Sequence, residues 1–134
     1  MADSKAKIDA TEAELAVLQE LWNDPGATIR QLTDRLYPNG GQAHYATVQK
    51  LLERLEEKGF VARDASDSPH RFRAVVARDE LIGRRLRAMA DKLCGGSLTP
   101  LLTNLVQSQS LTTAQVRELR ELIDKLDRKR KRKS

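Results

Sequence analysis

The chain has 134 residues, 40% apolar but only 4% aromatic, with 24 Lys and Arg against 19 Asp and Glu for a net charge of +5. That length holds one average domain or a small domain with an appendage, and its core must be built from Leu, Val, Ile and Ala. No stretch approaches the ~18 consecutive apolar residues of a transmembrane helix, and Met1 to Asp9 is polar rather than a basic start followed by an apolar run, so cytoplasmic residence is expected.

In chain order, Thr11-Glu12-Ala13-Glu14 has the form of a capping box and opens a helix whose stripe is Leu15, Leu18, Leu21 and Trp22, closed by Asn23-Asp24-Pro25-Gly26. Thr28-Ile29-Arg30-Gln31 repeats the device. It begins a short helix with Ile29, Leu32 and Leu36 inward. Pro38-Asn39-Gly40-Gly41 is a turn longer than the minimal helix-turn-helix uses. From about Tyr45 to Lys58, Val48, Leu51, Leu52 and Leu55 line one helix face, while Ala46, Thr47, Gln49, Lys50, Glu53 and Arg54 form the opposite, polar face. Gly59 is placed to stop that helix with a left-handed turn. Two short strands, Phe60 to Arg63 and Arg71 to Val75, flank the turn formers Ala65 to Pro69, and Arg71 and Arg73 point to one face with Phe72 to the other.

Helix, turn, amphipathic helix, glycine stop and basic hairpin are the parts of a winged helix-turn-helix in order, so the expected function is DNA binding. The polar helix face suits base edges, and the two wing guanidinium groups suit phosphates. The expected contact set is Thr28, Arg30, His44, Ala46, Thr47, Gln49, Lys50, Arg54, Arg71 and Arg73. Alternative readings stand beside it. An Arg-x-Arg strand also serves to charge a sheet edge against aggregation. Winged domains also act as protein-interaction adaptors without sequence-specific DNA binding. His44 either caps the long helix or touches a phosphate, and His70 is a solvent-facing imidazole on the wing. Both histidines are isolated, the single Cys94 reads as filler near a helix end, and Cys-x-x-Cys, His-x-x-x-His and a Gly-rich phosphate loop are absent, so no enzyme, metal or cofactor is expected.

Beyond the wing the pattern is helical. Ile82, Leu86, Met89 and Leu93 form a narrow stripe, Leu98, Leu101, Leu102, Leu105 and Val106 a second, and Val116, Leu119, Leu122, Ile123 and Leu126 a third, opened by Thr112-Thr113-Ala114-Gln115. About 50 residues of short helices do not readily close a core alone. A second copy would supply the missing half, with Leu86, Met89, Leu93, Leu101, Leu102, Leu105, Leu119, Leu122 and Ile123 at the seam; the alternative is folding back on the same chain. The run Arg128 to Lys133 accounts for the net charge, since without it 18 basic side chains meet 19 acidic ones. Six like charges in a row repel, so a disordered tail is expected, serving either solubility or non-specific phosphate affinity. The expected architecture is mainly α with a small β-hairpin wing: a winged helix-turn-helix domain over 1–77, a helical dimerisation domain over 78–127 and a basic disordered tail over 128–134.

Three segments, Thr11 to Trp22 (TEAELAVLQELW), Tyr45 to Phe60 (YATVQKLLERLEEKGF) and Leu111 to Leu119 (LTTAQVREL), resemble the penicillinase-repressor (BlaI/MecI) family. The resemblance runs from Ala10 to Leu126 and is most specific at Thr47-Val48 with Leu51, at Arg54-Leu55 and at Lys58-Gly59. It implies a dimeric winged-helix repressor bound to palindromic operators in double-stranded DNA. Ala46, Thr47, Gln49 and Lys50 then face the groove, and Arg54 serves the backbone or an internal ion pair. In several members a membrane-bound metalloprotease sensor triggers cleavage in a Leu-Val-x-Asn-Phe type segment. The matching stretch is Leu101-Leu102-Thr103-Asn104-Leu105, with Asn104 and Leu105 at the cleavage position and Leu105 in place of the aromatic residue. Copper-responsive relatives carry paired Cys-x-Cys motifs, which this chain lacks.

Overall fold

A computed structural model describes residues 9–133; the polar stretch Met1 to Ile8 and Ser134 lie outside the described residues. The order is α1 (Glu12–Asn23), α2 (Ile29–Leu36), α3 (Gln42–Glu57), β1 (Val61–Asp64), β2 (Arg71–Ala74), α4 (Arg78–Leu93), α5 (Thr99–Gln107) and α6 (Thr113–Lys133). The chain is mainly α with one antiparallel hairpin. Two compact units divide between Arg85 and Leu86, within α4, rather than between 77 and 78.

In the first unit the apolar stripes read from the sequence, joined by Val17, form the core, with Leu15, Trp22, Ile29 and Leu36 half-buried against it. Val17, Leu18 and Leu21 of α1, Leu32 of α2, Val48, Leu51, Leu52 and Leu55 of α3, and Phe72 of β2 are all buried. Strand pairing sets Ala62 opposite Arg73, Arg63 opposite Phe72 and Asp64 opposite Arg71. Arg71 and Arg73 therefore share one face, and Phe72 turns the other toward the helices. Between α1 and α2 the chain adds a short third pairing: Gly26 N–H donates to Phe72 O at 2.8 Å, and Phe72 N–H donates to Ala27 O at 2.9 Å.

The capping boxes at Thr11 and Thr28 form, as does a third at Thr112. Thr11 Oγ1 accepts from Glu14 N–H and Thr28 Oγ1 from Gln31 N–H, each at 3.2 Å, with the reciprocal side-chain bonds in place. α3 ends in a Schellman turn, with Phe60 N–H donating to Leu55 O and Gly59 N–H to Glu56 O. Gly59 has φ +76°, a conformation that strains a residue with a Cβ.

α3 begins at Gln42, three residues before the expected Tyr45. No side chain caps it, so the sequence carries no start signal of the Thr11 kind. Arg128 to Lys133, expected to be disordered, is instead the end of α6. Lys and Arg are strong helix formers, cations suit a helix C-terminus, and Lys131 pairs with Asp127 at 3.6 Å, four residues back. In the second unit α5 and α6 bury no residue among those described.

The buried Glu14 ties the ends of two helices together. Its Oε1 accepts from Thr11 N–H at 2.8 Å and from Lys58 Nζ at 2.7 Å, and Lys58 Nζ also donates to Asp9 O. Burial pushes the Glu14 carboxyl upward, but the bonds from Lys58 and Thr11 outweigh it and hold the group below the ordinary 4.5. A carboxyl with a depressed pKa stabilises the fold above its unfolded value, and that contribution is lost as pH falls through the folded one. Glu14→Gln should cost about 2 kcal/mol at pH 7, below the range for fully buried pairs because Lys58 is partly exposed. The deficit should shrink as the pH is lowered below 4.5. Urea titrations of both proteins at pH 7 and pH 3.5 check this; equal deficits at the two pH values would contradict it.

Candidate nucleic-acid interface

The turn between α2 and α3 positions the exposed face of α3. α2 ends at Tyr37, whose carbonyl accepts the Gly40 N–H at 2.8 Å. The Tyr37 ring packs on that of His44, with centroids 4.6 Å apart. A Cβ on Gly40 would lie 2.7 Å from the His44 Cγ and 2.8 Å from its Cβ, so only glycine fits. His44 thus lies inside the first turn of α3 against Tyr37, not ahead of the helix, and it does not cap α3. The N-cap is Gly41, which makes no side-chain bond.

With Val48, Leu51, Leu52 and Leu55 buried, α3 presents Gln42, Ala43, Ala46, Thr47, Gln49, Lys50, Glu53 and Arg54 to the outside. The charge along this face is graded. From Gln42 to Lys50 there is no acid, whereas Glu53, Glu56 and Glu57 occupy the following turns. A polyanion therefore meets least repulsion at the N-terminal half, the part of a recognition helix that reaches base edges. Thr47 Oγ1 donates to Ala43 O at 2.9 Å, so the hydroxyl keeps only its acceptor capacity. Arg54 is exposed and has no acidic partner among the described residues.

Beside α3 lies a cleft of about 370 Å³ lined by Arg30, Tyr45, Gln49, Arg63 and His70, among others. Arg30 is exposed and its guanidinium stands 5.7 Å from the Tyr45 ring centroid. Thr28, in contrast, is 7% exposed and its hydroxyl serves the α2 cap. Arg63 Nη2 donates to Glu56 Oε1 at 2.8 Å, its Nη1 lies 3.3 Å from His70 Nδ1, and its guanidinium covers the Phe72 ring.

The two wing arginines differ. Arg71 Nη1 donates to Gly26 O at 2.9 Å, which joins the wing to the α1–α2 connection. Arg73 is exposed and its side chain makes no hydrogen bond among the described residues. Asp64 shares their face, and its carboxyl is held below the usual range by the Ser66 hydroxyl and N–H and by the charges of Arg71 and Arg73. It therefore stays ionised at neutral pH and offsets part of the wing's positive potential.

The profile of the penicillinase repressors matches residues 10–125. The chain belongs to the penicillinase-repressor family. It resembles the transcriptional regulator BlaI of Mycobacterium tuberculosis, 34% identical over 99 residues, covering 72% of this chain and 70% of that protein. It also resembles the methicillin resistance regulatory protein MecI of Staphylococcus aureus, 20% identical over 117 residues, covering 87% and 94%. A solved MarR family protein from Bacillus stearothermophilus aligns over 94% of this chain and 81% of its own, at 20% identity and a TM-score of 0.45. The family member described here is thus a transcriptional regulator of the repressor class, not an enzyme, and its winged helix-turn-helix is a DNA-binding fold.

Gln42 and Ala43 on the exposed face of α3 and Arg63 in the cleft lie outside the contact set expected from the sequence. The first two fall outside it because the expected start of α3 was Tyr45 rather than Gln42. Arg63 has no local signal, since its partners Glu56, His70 and Phe72 are assembled by strand register. Gly40→Ala should displace His44 from Tyr37 and cost about 1–2 kcal/mol, as overpacking does elsewhere. Thermal denaturation and loss of the Tyr37 ring-current shift on the His44 protons test this; an unchanged shift would refute the close approach.

Proposed function

We propose that this protein binds a palindromic operator in double-stranded DNA as a homodimer and represses transcription from it. The carrying observation is the acid-free, solvent-facing half of α3 from Gln42 to Lys50, together with the exposed Arg73 on the wing. In this reading Ala46, Thr47, Gln49 and Lys50 address base edges, and Arg30, Arg54, Arg71 and Arg73 address phosphates. Thr28 and His44 act indirectly, as the cap of α2 and the brace of the turn. Family membership supports the repressor role, and the relatives' names include a transcriptional regulator and a resistance regulatory protein.

The homodimer reading is supported by the apolar surface that α4, α5 and α6 leave uncovered. Leu86, Met89, Leu93, Leu102, Leu105, Leu122 and Ile123 are each at least 43% exposed, Leu119 is 37% exposed, and Leu101 is half-buried. Apolar stripes on three consecutive helices exceed the scattered exposure of a monomer surface. A second copy of the same region would cover them and pair two reading heads on a two-fold site. No helix among the described residues is long and apolar enough to cross a membrane, and a repressor acting on chromosomal DNA would work in the cytoplasm.

Release by cleavage at Asn104-Leu105, triggered indirectly by a membrane-bound sensor protease, belongs to the same proposal. The bond lies inside α5, so a protease needs that helix to open.

In fluorescence anisotropy against DNA upstream of the protein's own gene and a scrambled duplex, Lys50→Ala should weaken only the upstream complex, by about 5- to 100-fold. Arg73→Ala should weaken both and lower the salt slope by about one unit. No preference for upstream DNA in the wild type would transfer the fold to the protein-adaptor reading. In sedimentation equilibrium the wild type should be a dimer, and the double substitution Leu122→Asp with Ile123→Asp should shift it to monomer; a monomeric wild type would remove the dimer.

A further inference from the structure

The chain's positive charge is divided unevenly. Residues 1–85, which include the winged unit, hold 13 basic and 14 acidic side chains. The six cations from Arg128 to Lys133 supply the whole excess, and they form the last turns of α6, all exposed. At 100° and 1.5 Å per residue, six consecutive positions surround the helix axis over ~9 Å. Like charges therefore face one another at i,i+3 and i,i+4, from Arg128 and Lys131 to Lys129 and Lys133, each pair unfavourable. The acids within a turn are Asp124 and Asp127, and the Lys131–Asp127 pair, at 3.6 Å with both side chains largely exposed, offsets little of this.

We propose that Arg128–Lys133 is a second, sequence-independent DNA contact, a helical cation cluster that engages backbone phosphates other than those met by α3 and the wing. The choice of DNA depends on the operator-binding reading above. Charge density favours it: six cations over ~9 Å match a duplex that carries one negative charge per ~1.7 Å. A membrane surface fits less well. An interfacial helix needs an apolar face beneath its cations, and the apolar stripe of α6 stops at Leu126, before the run begins. Phosphates relieve the repulsion between neighbouring side chains, so the helix end firms when DNA is bound.

The test uses the full chain, the neutralised variant R128Q/K129Q/R130Q/K131Q/R132Q/K133Q and the charge-retaining variant R128K/R130K/R132K, with helix content checked by circular dichroism. Binding is measured across a salt series on a scrambled duplex, on the upstream duplex and on phosphatidylserine–phosphatidylcholine vesicles. On scrambled DNA the neutralised variant should lose about three to five units of salt slope, each phosphate contact carrying about 0.9, while the charge-retaining variant keeps the slope. The wild-type preference for upstream over scrambled DNA should survive neutralisation. An unchanged slope overturns the proposal in favour of a solubilising role. Vesicle binding lost on neutralisation without change in the duplex slope overturns it in favour of a membrane. Failure of the operator reading shows separately, as equal affinity of the wild type for both duplexes.

Discussion

The carboxylate of Glu14 holds the geometry on which the exposed surface depends. It is 1% exposed, and a single oxygen accepts both the Thr11 N–H that caps α1 and the ammonium of Lys58 at the end of α3. Its other oxygen is buried and has no hydrogen-bond partner among the described residues, an arrangement that costs about 1–3 kcal/mol. A buried pair of this kind adds little net stability over apolar residues of the same volume, so its consequence lies in register. The α1 start also accepts Arg85, whose guanidinium donates to Asp9 Oδ1 and Ala10 O. Two cations distant in sequence therefore converge on the same few residues. Rotation of α3 about its axis would break the Lys58 bonds, which fixes the face that Lys50 and its neighbours present.

The wing is held to the same frame by backbone bonds. Phe72 exchanges hydrogen bonds with Gly26 and Ala27, Arg71 reinforces the join at Gly26 O, and the buried Phe72 ring anchors β2 to the core. Gly26 and Ala27 lie immediately before the α2 cap. The start of α2, the wing base and the α3 face thus form one hydrogen-bonded assembly, with side chains oriented before any ligand arrives. Such preorganisation lowers the entropy lost on binding. It also accounts for the difference between the two exposed wing arginines, one tied to Gly26 O and the other without a side-chain hydrogen bond among the described residues.

What could be read from the sequence was what is local. The capping boxes at Thr11, Thr28 and Thr112, the Gly59 stop and the apolar stripes of α1, α3 and the wing strand each depend on residues within a few positions, and each appears in the fold. Misreadings came where local signals are silent or opposed. α3 starts on a glycine N-cap, so nothing marks Gln42. In Arg128 to Lys133 like-charge repulsion argues against order while helix propensity and the Asp127 pair argue for it, and the balance favours helix. The Glu14–Lys58 pair spans 44 residues and the Trp22 Nε1–H to Val76 O bond spans 54, distances over which no spacing rule operates.

The same division between local arrangement and gross charge separates two kinds of work along the chain. In the winged unit cations and anions nearly cancel, and several of its arginines and lysines already hold acidic partners: Lys58 to Glu14, Arg63 to Glu56 and Arg85 to Asp9. A surface of this kind attracts a polyanion weakly at long range, so in the proposed reading its contribution lies in fit at the α3 face, where a wrong base leaves polar groups unpaired. In that reading the long-range attraction falls instead to a helix end that carries no shape information. Because the winged unit is close to neutral, its preference for one sequence over another is little altered by the salt that screens the helix end. In the proposed reading affinity and specificity are thereby assigned to separate segments of one chain.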